Sequence, residues 1–319
     1  MYPKYSLFNF IVNPKSGSNL DVSGIRRLCK YLGRQRYEVR LDLTRSLTHA
    51  GELAHDAMAQ GAAVVVVAGG DGTVRQVAEA MTGSHVPILI IPWGTENLLA
   101  SQLGLDGLVE TNKKTLENGR IRPVDLGQAN KRCFTAVVGV GFDAEVVSRV
   151  HGRRAGHITP ASYLWPLLRT FCEHSFPHLH VVGDGQVLCD EPALVFVSNI
   201  SRYAIGLGIS READCSDGKL DLCIYKCGNR LRLLDHAAKT VLKKTDKSPL
   251  VLRQRCKEIV INSENKKVYS QLDGDPGPVL PIHIKVIPAA TNLLTPPPPD
   301  KYSYCPPVRW YHLRRWLLR

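Results

Sequence analysis

No uncharged apolar stretch in these 319 residues approaches the length needed to cross a bilayer. The start lacks the basic region and apolar core of a secretory signal, because a strand-like run, Leu7 to Val12, begins almost at once. Cysteine does not form a framework: the nine are irregularly spaced, and an odd number leaves at least one unpaired. Cys223 and Cys227 are four apart, with no second pair at metal-site spacing. Reduced thiols inside a cell are the expectation. Acids are the minority charge, 29 Asp and Glu against 41 Lys and Arg, giving a formal charge of +12. That balance favours a polyanionic partner, whether nucleotide, nucleic acid or anionic membrane. No aromatic stacking pattern or nucleic-acid-binding module is present, so nucleic acid is not expected.

What is present begins with Val64 to Val67, four valines bounded by small residues, which reads as a buried parallel strand. It breaks into Gly69, Gly70, Asp71, Gly72 and Thr73, and a helical pattern follows through Val74, Val77, Ala78 and Met81. Strand, glycine turn and helix in that order make a corner where backbone N–H groups can meet a phosphate. Asp71 would repel phosphate there unless a cation or polar network intervenes, so nucleotide handling with a metal is expected.

Two further loops follow strand-like runs. After Val12 come Asn13, Pro14, Lys15, Ser16 and Gly17; the glycine spacing that a Walker loop needs before its lysine is missing. After Val86 to Ile91 come Pro92, Trp93, Gly94, Thr95, Glu96 and Asn97, with Thr95 expected to cap the next helix. A helix over Thr48 to Gln60 is expected, with Thr48 as its cap. Strand–helix alternation predicts an open, mostly parallel α/β domain over residues 1–124, with the three loops meeting at one sheet edge.

From Asp125 short apolar strands dominate, including Cys133 to Val140, Ala193 to Asn199 and Leu220 to Tyr225. They predict a mainly antiparallel, sandwich-like β domain over 125–287. Ser162 to Phe171 reads as a helix limited by Pro166; its Tyr163, Leu164, Trp165, Leu167 and Leu168 are expected in the core, with the lining of a lipid cleft as the alternative. Asp214, Asp217 and Asp221 cluster and can hold a hard cation or simply form an acidic turn. Asp273 sits where a strand, Val268 to Leu272, meets a turn; it can aim a carboxylate into a cleft or make an ordinary Asp-Gly hairpin. The basic segment Lys239 to Lys257 is a solvated face or a contact for anionic lipid. Residues 288–300 form a return segment with a stiff proline spacer. Residues 301–319 are basic and aromatic, with Trp310, Leu313 and Leu317 on one helical face; an anchor on anionic membrane is expected, with packing against protein as the alternative.

In combination, Asn13-Pro14-Lys15-Ser16-Gly17, the Gly69–Thr73 corner, Pro92 to Asn97, Asp217-Gly218-Lys219-Leu220-Asp221 and Asp273-Gly274-Asp275 resemble the catalytic family of diacylglycerol and sphingosine kinases. The corner alone is shared with NAD kinases. The resemblance implies an active site between the two domains, using ATP and Mg²⁺ to phosphorylate a lipid alcohol such as diacylglycerol or a sphingoid base. It implies Asp273 as general base, and Asn13, Ser16, Gly17, Gly69, Gly70, Asp71, Gly72, Thr73, Gly94, Thr95, Asn97 and Asp275 around the nucleotide. It implies metal roles for Asp71, Asp214 and Asp217, and a cytoplasmic protein held peripherally at a membrane. Two positions depart from the family pattern: Leu98 replaces an acid, and Asp275 replaces a longer glutamate. An NAD kinase and a noncatalytic nucleotide- or lipid-binding regulator are the alternatives, and a homo-oligomer is compatible with all three.

Overall fold

A computed structural model describes residues 2–16, 22–152, 161–202, 209–242, 244–245, 248–264 and 267–298. Gly17 and the basic tail lie outside the described residues, as do the side chains of Tyr163 and Leu164.

The first half is built on four parallel strands, β1 (Leu7–Val12), β2 (Glu38–Leu43), β3 (Ala62–Gly69) and β4 (Ile88–Pro92), in the order β2-β1-β3-β4. Val64 to Val67 of β3 are all fully buried, which requires cover on both faces and explains the uninterrupted valines. Helices α1 (Val22–Arg34), α2 (Leu47–Ala59) and α3 (Asp71–Ala80) connect them. In α1, Ile25, Leu28 and Leu32 form the buried stripe. The cap of α2 is Ser46, not Thr48. Ser46 lies in extended backbone and its Oγ accepts the N–H of His49 at 3.1 Å, whereas Thr48 is already inside the helix.

Two short helices, α4 (Leu98–Gln102) and α5 (Val109–Asn118), lead to β5 (Arg120–Ala129), β6 (Arg132–Phe134) and β7 (Val137–Val140). The single strand expected over Cys133 to Val140 is thus broken at Thr135 and Ala136, whose N–H groups serve another partner described below. Next come α6 (Phe142–His151), α7 (Ala161–Glu173), β8 (His178–Gly183), β9 (Gln186–Ser198), β10 (Leu220–Lys226) and α8 (Arg230–Val241). The chain closes with β11 (Val251–Cys256), β12 (Glu258–Asn262), β13 (Tyr269–Leu272), β14 (Asp275–Val279) and β15 (Ile282–Thr295). Helices α6 and α8 are additions to the expected β-rich pattern. Helix α7 continues through Pro166, but Trp165, Leu167 and Leu168 are exposed at 61%, 42% and 51%, contrary to the expected burial.

The second half is a β-sandwich. One layer runs β14-β13-β7-β9-β10-β11; the other contains β8, β12, β15, β5 and β6. Strand β9 serves both, pairing with β8 through its first half and with β7 and β10 through its second. Val181, Val195, Val197, Ile224, Ile259 and Ile284 fill the space between the layers. Strand β15 runs between the two halves, with a shift of register between Ile287 and Thr291. Its start pairs antiparallel with β12, while Leu293 pairs parallel with Ile88 of β4. The α/β sheet and the sandwich therefore share a strand. No described helix is long and apolar enough to cross a membrane.

Candidate active site between the two domains

Three loops meet at the carboxyl edge of the parallel sheet and bond to one another. Asn13 Nδ2 donates to Thr73 Oγ1 at 2.8 Å, and Ser16 Oγ accepts the N–H of Gly70 at 3.2 Å. The N–H of Trp93 donates to the carbonyl of Gly69 at 2.9 Å. Gly70 and Gly94 pack backbone to backbone: a Cβ on Gly94 would lie 2.7 Å from the Gly70 Cα, so only glycine allows this approach. Asn97 closes its own loop, accepting from Gly94 N at 2.7 Å and donating to Gly94 O at 2.8 Å. Thr95 and Glu96 are exposed at the rim.

Asp71 is the first residue of α3, yet it caps a different helix. Its Oδ2 accepts from Asn97 N at 2.9 Å and its Oδ1 from Leu98 N at 2.8 Å, so it holds the start of α4. Thr95 makes no such cap, because Asn97 occupies the N-cap position in left-handed backbone. The role of position 98 toward Asp71 runs through its backbone N–H, which any residue but proline supplies. Burial, and next the charge of Asp273, push the Asp71 carboxyl up to about 6, against the pull of the two N–H groups.

Asp273 arrives from the sandwich. Asp273 and Gly274 both have positive φ and join β13 to β14, with Leu272 opposite Asp275. This is the Asp-Gly hairpin, and it turns the carboxylate onto the segment between β6 and β7. Oδ1 accepts from the N–H groups of Ala136 and Val137, each at 2.9 Å. Oδ2 accepts from Thr135 N at 2.8 Å and Thr135 Oγ1 at 3.0 Å. These four donors match the acceptor capacity of a carboxylate. They also explain the break between β6 and β7.

Two buried residues that the sequence reading passed over support this loop. Asn199 Nδ2 donates to the carbonyls of Thr135 at 3.0 Å and Asp125 at 2.8 Å, and Asn199 N donates to Ala136 O at 2.8 Å. Asp125 accepts from Gly218 N and Ala289 N, each at 2.7 Å, tying the Asp217-Gly218 turn to β15. Neither residue belongs to a local pattern; only their placement in a β-rich stretch, beside apolar neighbours, hinted at buried polar roles.

Asp275 faces an arginine and a histidine. Its Oδ2 accepts from Arg75 Nη2 at 3.0 Å, and His151 Nε2 lies 3.3 Å from its Oδ1. Arg75 belongs to α3, is buried, and its Nη1 also reaches Leu272 O at 3.4 Å. The glycine corner and the Asp273 hairpin are thus joined by an ion pair across the domain boundary.

The expected metal residues fall into two groups. Among the described residues, neither Asp71 nor Asp273 forms an ion pair, although they are close enough for one charge to raise the other's carboxyl. Two neighbouring acids without a protein cation suit a site that receives its positive charge with a ligand. Asp214 and Asp217 already face arginines: Asp214 Oδ1 pairs with Arg122 at 2.7 Å, and Arg255 approaches Asp217 at 3.9 Å. Among the described residues no group of three or more His, Cys, Asp or Glu side chains is arranged for a metal.

The comparisons agree with this division into halves. The family model "Diacylglycerol kinase catalytic domain" matches residues 8–129, and "YegS C-terminal NAD kinase beta sandwich-like domain" matches residues 136–295. A diacylglycerol kinase of Mycobacterium tuberculosis is 28% identical over 297 residues, covering 90% of this chain and 94% of that protein. The crystal structure of a diacylglycerol kinase from Bacillus anthracis superimposes with a TM-score of 0.69 at 20% identity, covering 93% of this chain and 99% of the other. The Bacillus structure supports the fold alone, while the two family models span both halves of the chain. The chain belongs to the diacylglycerol kinase catalytic family with a YegS-type β-sandwich domain, a family of lipid- and nucleotide-handling kinases.

Proposed function

We propose that the protein transfers the γ-phosphoryl group of ATP to the hydroxyl of a lipid alcohol, such as diacylglycerol or a sphingoid base. The observation that carries this reading is the meeting of two acids, Asp71 beside the glycine corner and Asp273 on the sandwich hairpin, in one cleft. The corner's glycines and the first N–H groups of α3 suit phosphate oxygens. Asn13, Ser16, Thr73 and Asn97 fix the three loops that would surround the nucleotide. Mg²⁺, when bound, would offset phosphate charge, and Asp71 fits it better than the arginine-paired Asp214 and Asp217.

In the transfer, the alcohol oxygen bonds to the γ-phosphorus, the bond to the bridging oxygen breaks, and ADP leaves. The alcohol proton passes to Asp273. Of the four groups on that carboxylate, only the Thr135 hydroxyl can rotate away. Its departure opens Oδ2 to the alcohol, while three backbone N–H groups keep the carboxylate aimed. Asp275 acts as the joint that sets the hairpin against α3 and does not need to reach the nucleotide.

The test is an assay with ATP and Mg²⁺ over diacylglycerol, sphingoid base, ceramide and NAD as acceptors. Phosphorylated lipid supports the proposal. Phosphorylated NAD with no lipid product supports the NAD kinase reading, and binding without transfer to any acceptor supports a noncatalytic regulator.

A further inference from the structure

Helix α8 carries apolar residues on two opposite faces. The inner face is buried through Leu233 and His236; His236 Nε2 contacts Lys226 O at 3.0 Å, and its ring meets Tyr225 edge-on. The outer face holds Leu231, Leu234, Val241 and, just past the helix, Leu242, exposed at 79%, 53%, 66% and 61%. With the exposed Ala238 they lie within a sector of roughly 100° at 100° per residue, pointing away from the packed face. Single exposed leucines need no explanation, but an ordered stripe over three turns does.

The stripe is rigidly mounted. Asn229 Oδ1 caps the helix by accepting from Arg232 N at 2.9 Å. Arg230 Nε donates to Phe171 O at 3.0 Å and its Nη2 to Cys172 O, tying α8 to the end of α7. Arg230, Arg232, Lys239 and Lys244 flank the stripe, against one acid, Asp235, which is paired to Lys239 at 2.6 Å. The basic run continues in sequence through Lys243, Lys247, Arg253, Arg255 and Lys257.

We propose that α8 is a membrane-docking face, its leucine stripe seated at the headgroup boundary of an anionic bilayer with the arginines and lysines around it. Charge selects this occupant. The tail of this chain, residues 301–319, carries Lys301, Arg309, Arg314, Arg315 and Arg319 and no acid, so it would be repelled. A second copy would bring the same cations against each other. The position of α8 fits as well, and here the inference rests on the lipid-kinase reading. The helix springs from β10, and β10, β9, β7 and β13 are consecutive neighbours. Three strand spacings, roughly 14 Å, therefore separate the strand that launches α8 from the strand that carries Asp273.

The test is flotation of the full chain with phosphatidylcholine vesicles, with and without phosphatidylglycerol. The parent is compared with L231S/L234S/V241S and with R232E/K239E. All five positions are solvent-facing to a degree that lets the fold survive, which circular dichroism checks. The parent is expected to float with the anionic vesicles and to release on adding salt. The serine variant is expected to partition at least about tenfold more weakly, and the glutamate variant to lose its preference for the anionic lipid. Equal flotation of parent and serine variant, or no flotation of the parent, overturns the proposal. So does a parent dimer that the serine variant converts to monomer. Short-chain diacylglycerol in detergent micelles separates this from the chemistry. Stripe-dependent flotation without any phosphorylated lipid leaves the docking face standing and removes the lipid-kinase reading.

Discussion

Asp273 is held as firmly as a carboxylate can be, with all four donors coming from a single three-residue loop. D273N should lose about 10²- to 10⁴-fold in phosphoryl transfer, the range for removing a positioned base, and some stability, because its amide nitrogen cannot accept from the backbone N–H groups around it. Initial rates below the unfolding transition of the variant check this. Asn199 is buried, and it holds the loop that holds Asp273. N199A should lower kcat while leaving the KM for ATP nearly unchanged, and should cost about 1–3 kcal/mol of stability for the unsatisfied carbonyls. A comparable rise in the KM for ATP with no loss of kcat would contradict a positioning role. Asp71 adds a pH effect. Its carboxyl moves from an ordinary 3.8 to about 6, so the folded state binds more protons than the unfolded state between those values. Stability from this group is therefore full below about pH 4 and lost as pH rises through about 6, amounting to about 3 kcal/mol at neutral pH. Chemical denaturation of the nucleotide-free protein across this window, compared with D71N, should show the slope in the parent and its reduction in the variant.

At the scale of elements, α3 touches both halves of the candidate site. It starts the glycine corner and carries Arg75, which meets Asp275 and Leu272 O on the opposing hairpin. R75M should destabilise the protein by about 2 kcal/mol, less than a fully buried pair because Asp275 is partly exposed. A double-mutant cycle with D275N, read by urea unfolding, should give a coupling of about 1–2 kcal/mol; additive effects would remove the joint. The same elements show what sequence can reveal. The parallel strands and the glycine loops were legible because their geometry restricts residue choice: valine on both faces of a buried strand, glycine where Gly70 and Gly94 touch. The sandwich was legible from its alternating short strands. The break at Thr135, the cap that Asp71 gives to α4, and the roles of Asp125 and Asn199 were not. Each depends on backbone groups brought together across the fold, as Asn199 reaches Thr135 and Asp125 reaches Ala289. Those groups have no residue signature. Position 98 teaches the same point, since its side chain departs from the family pattern while its N–H keeps the bond to Asp71.

At the scale of the molecule, β15 runs through both halves, so the α/β sheet and the sandwich are fixed on a common strand. One half supplies a glycine corner proposed to hold phosphate and the other a tethered carboxylate, an arrangement suited to joining two ligands of different chemistry. The excess of positive charge and the apolar stripe of α8 suit a protein that meets one of those ligands at an anionic surface. The central claim is that the cleft moves phosphate from ATP to a lipid hydroxyl with Asp273 taking the proton. The most direct measurement is mass detection of products after incubating the parent and D273N with ATP, Mg²⁺ and a panel of lipid alcohols. A phosphorylated lipid from the parent, reduced at least about a hundredfold with D273N, is the predicted result. Equal product from a folded D273N, or no phosphorylated lipid from an ATP-binding parent, would contradict it.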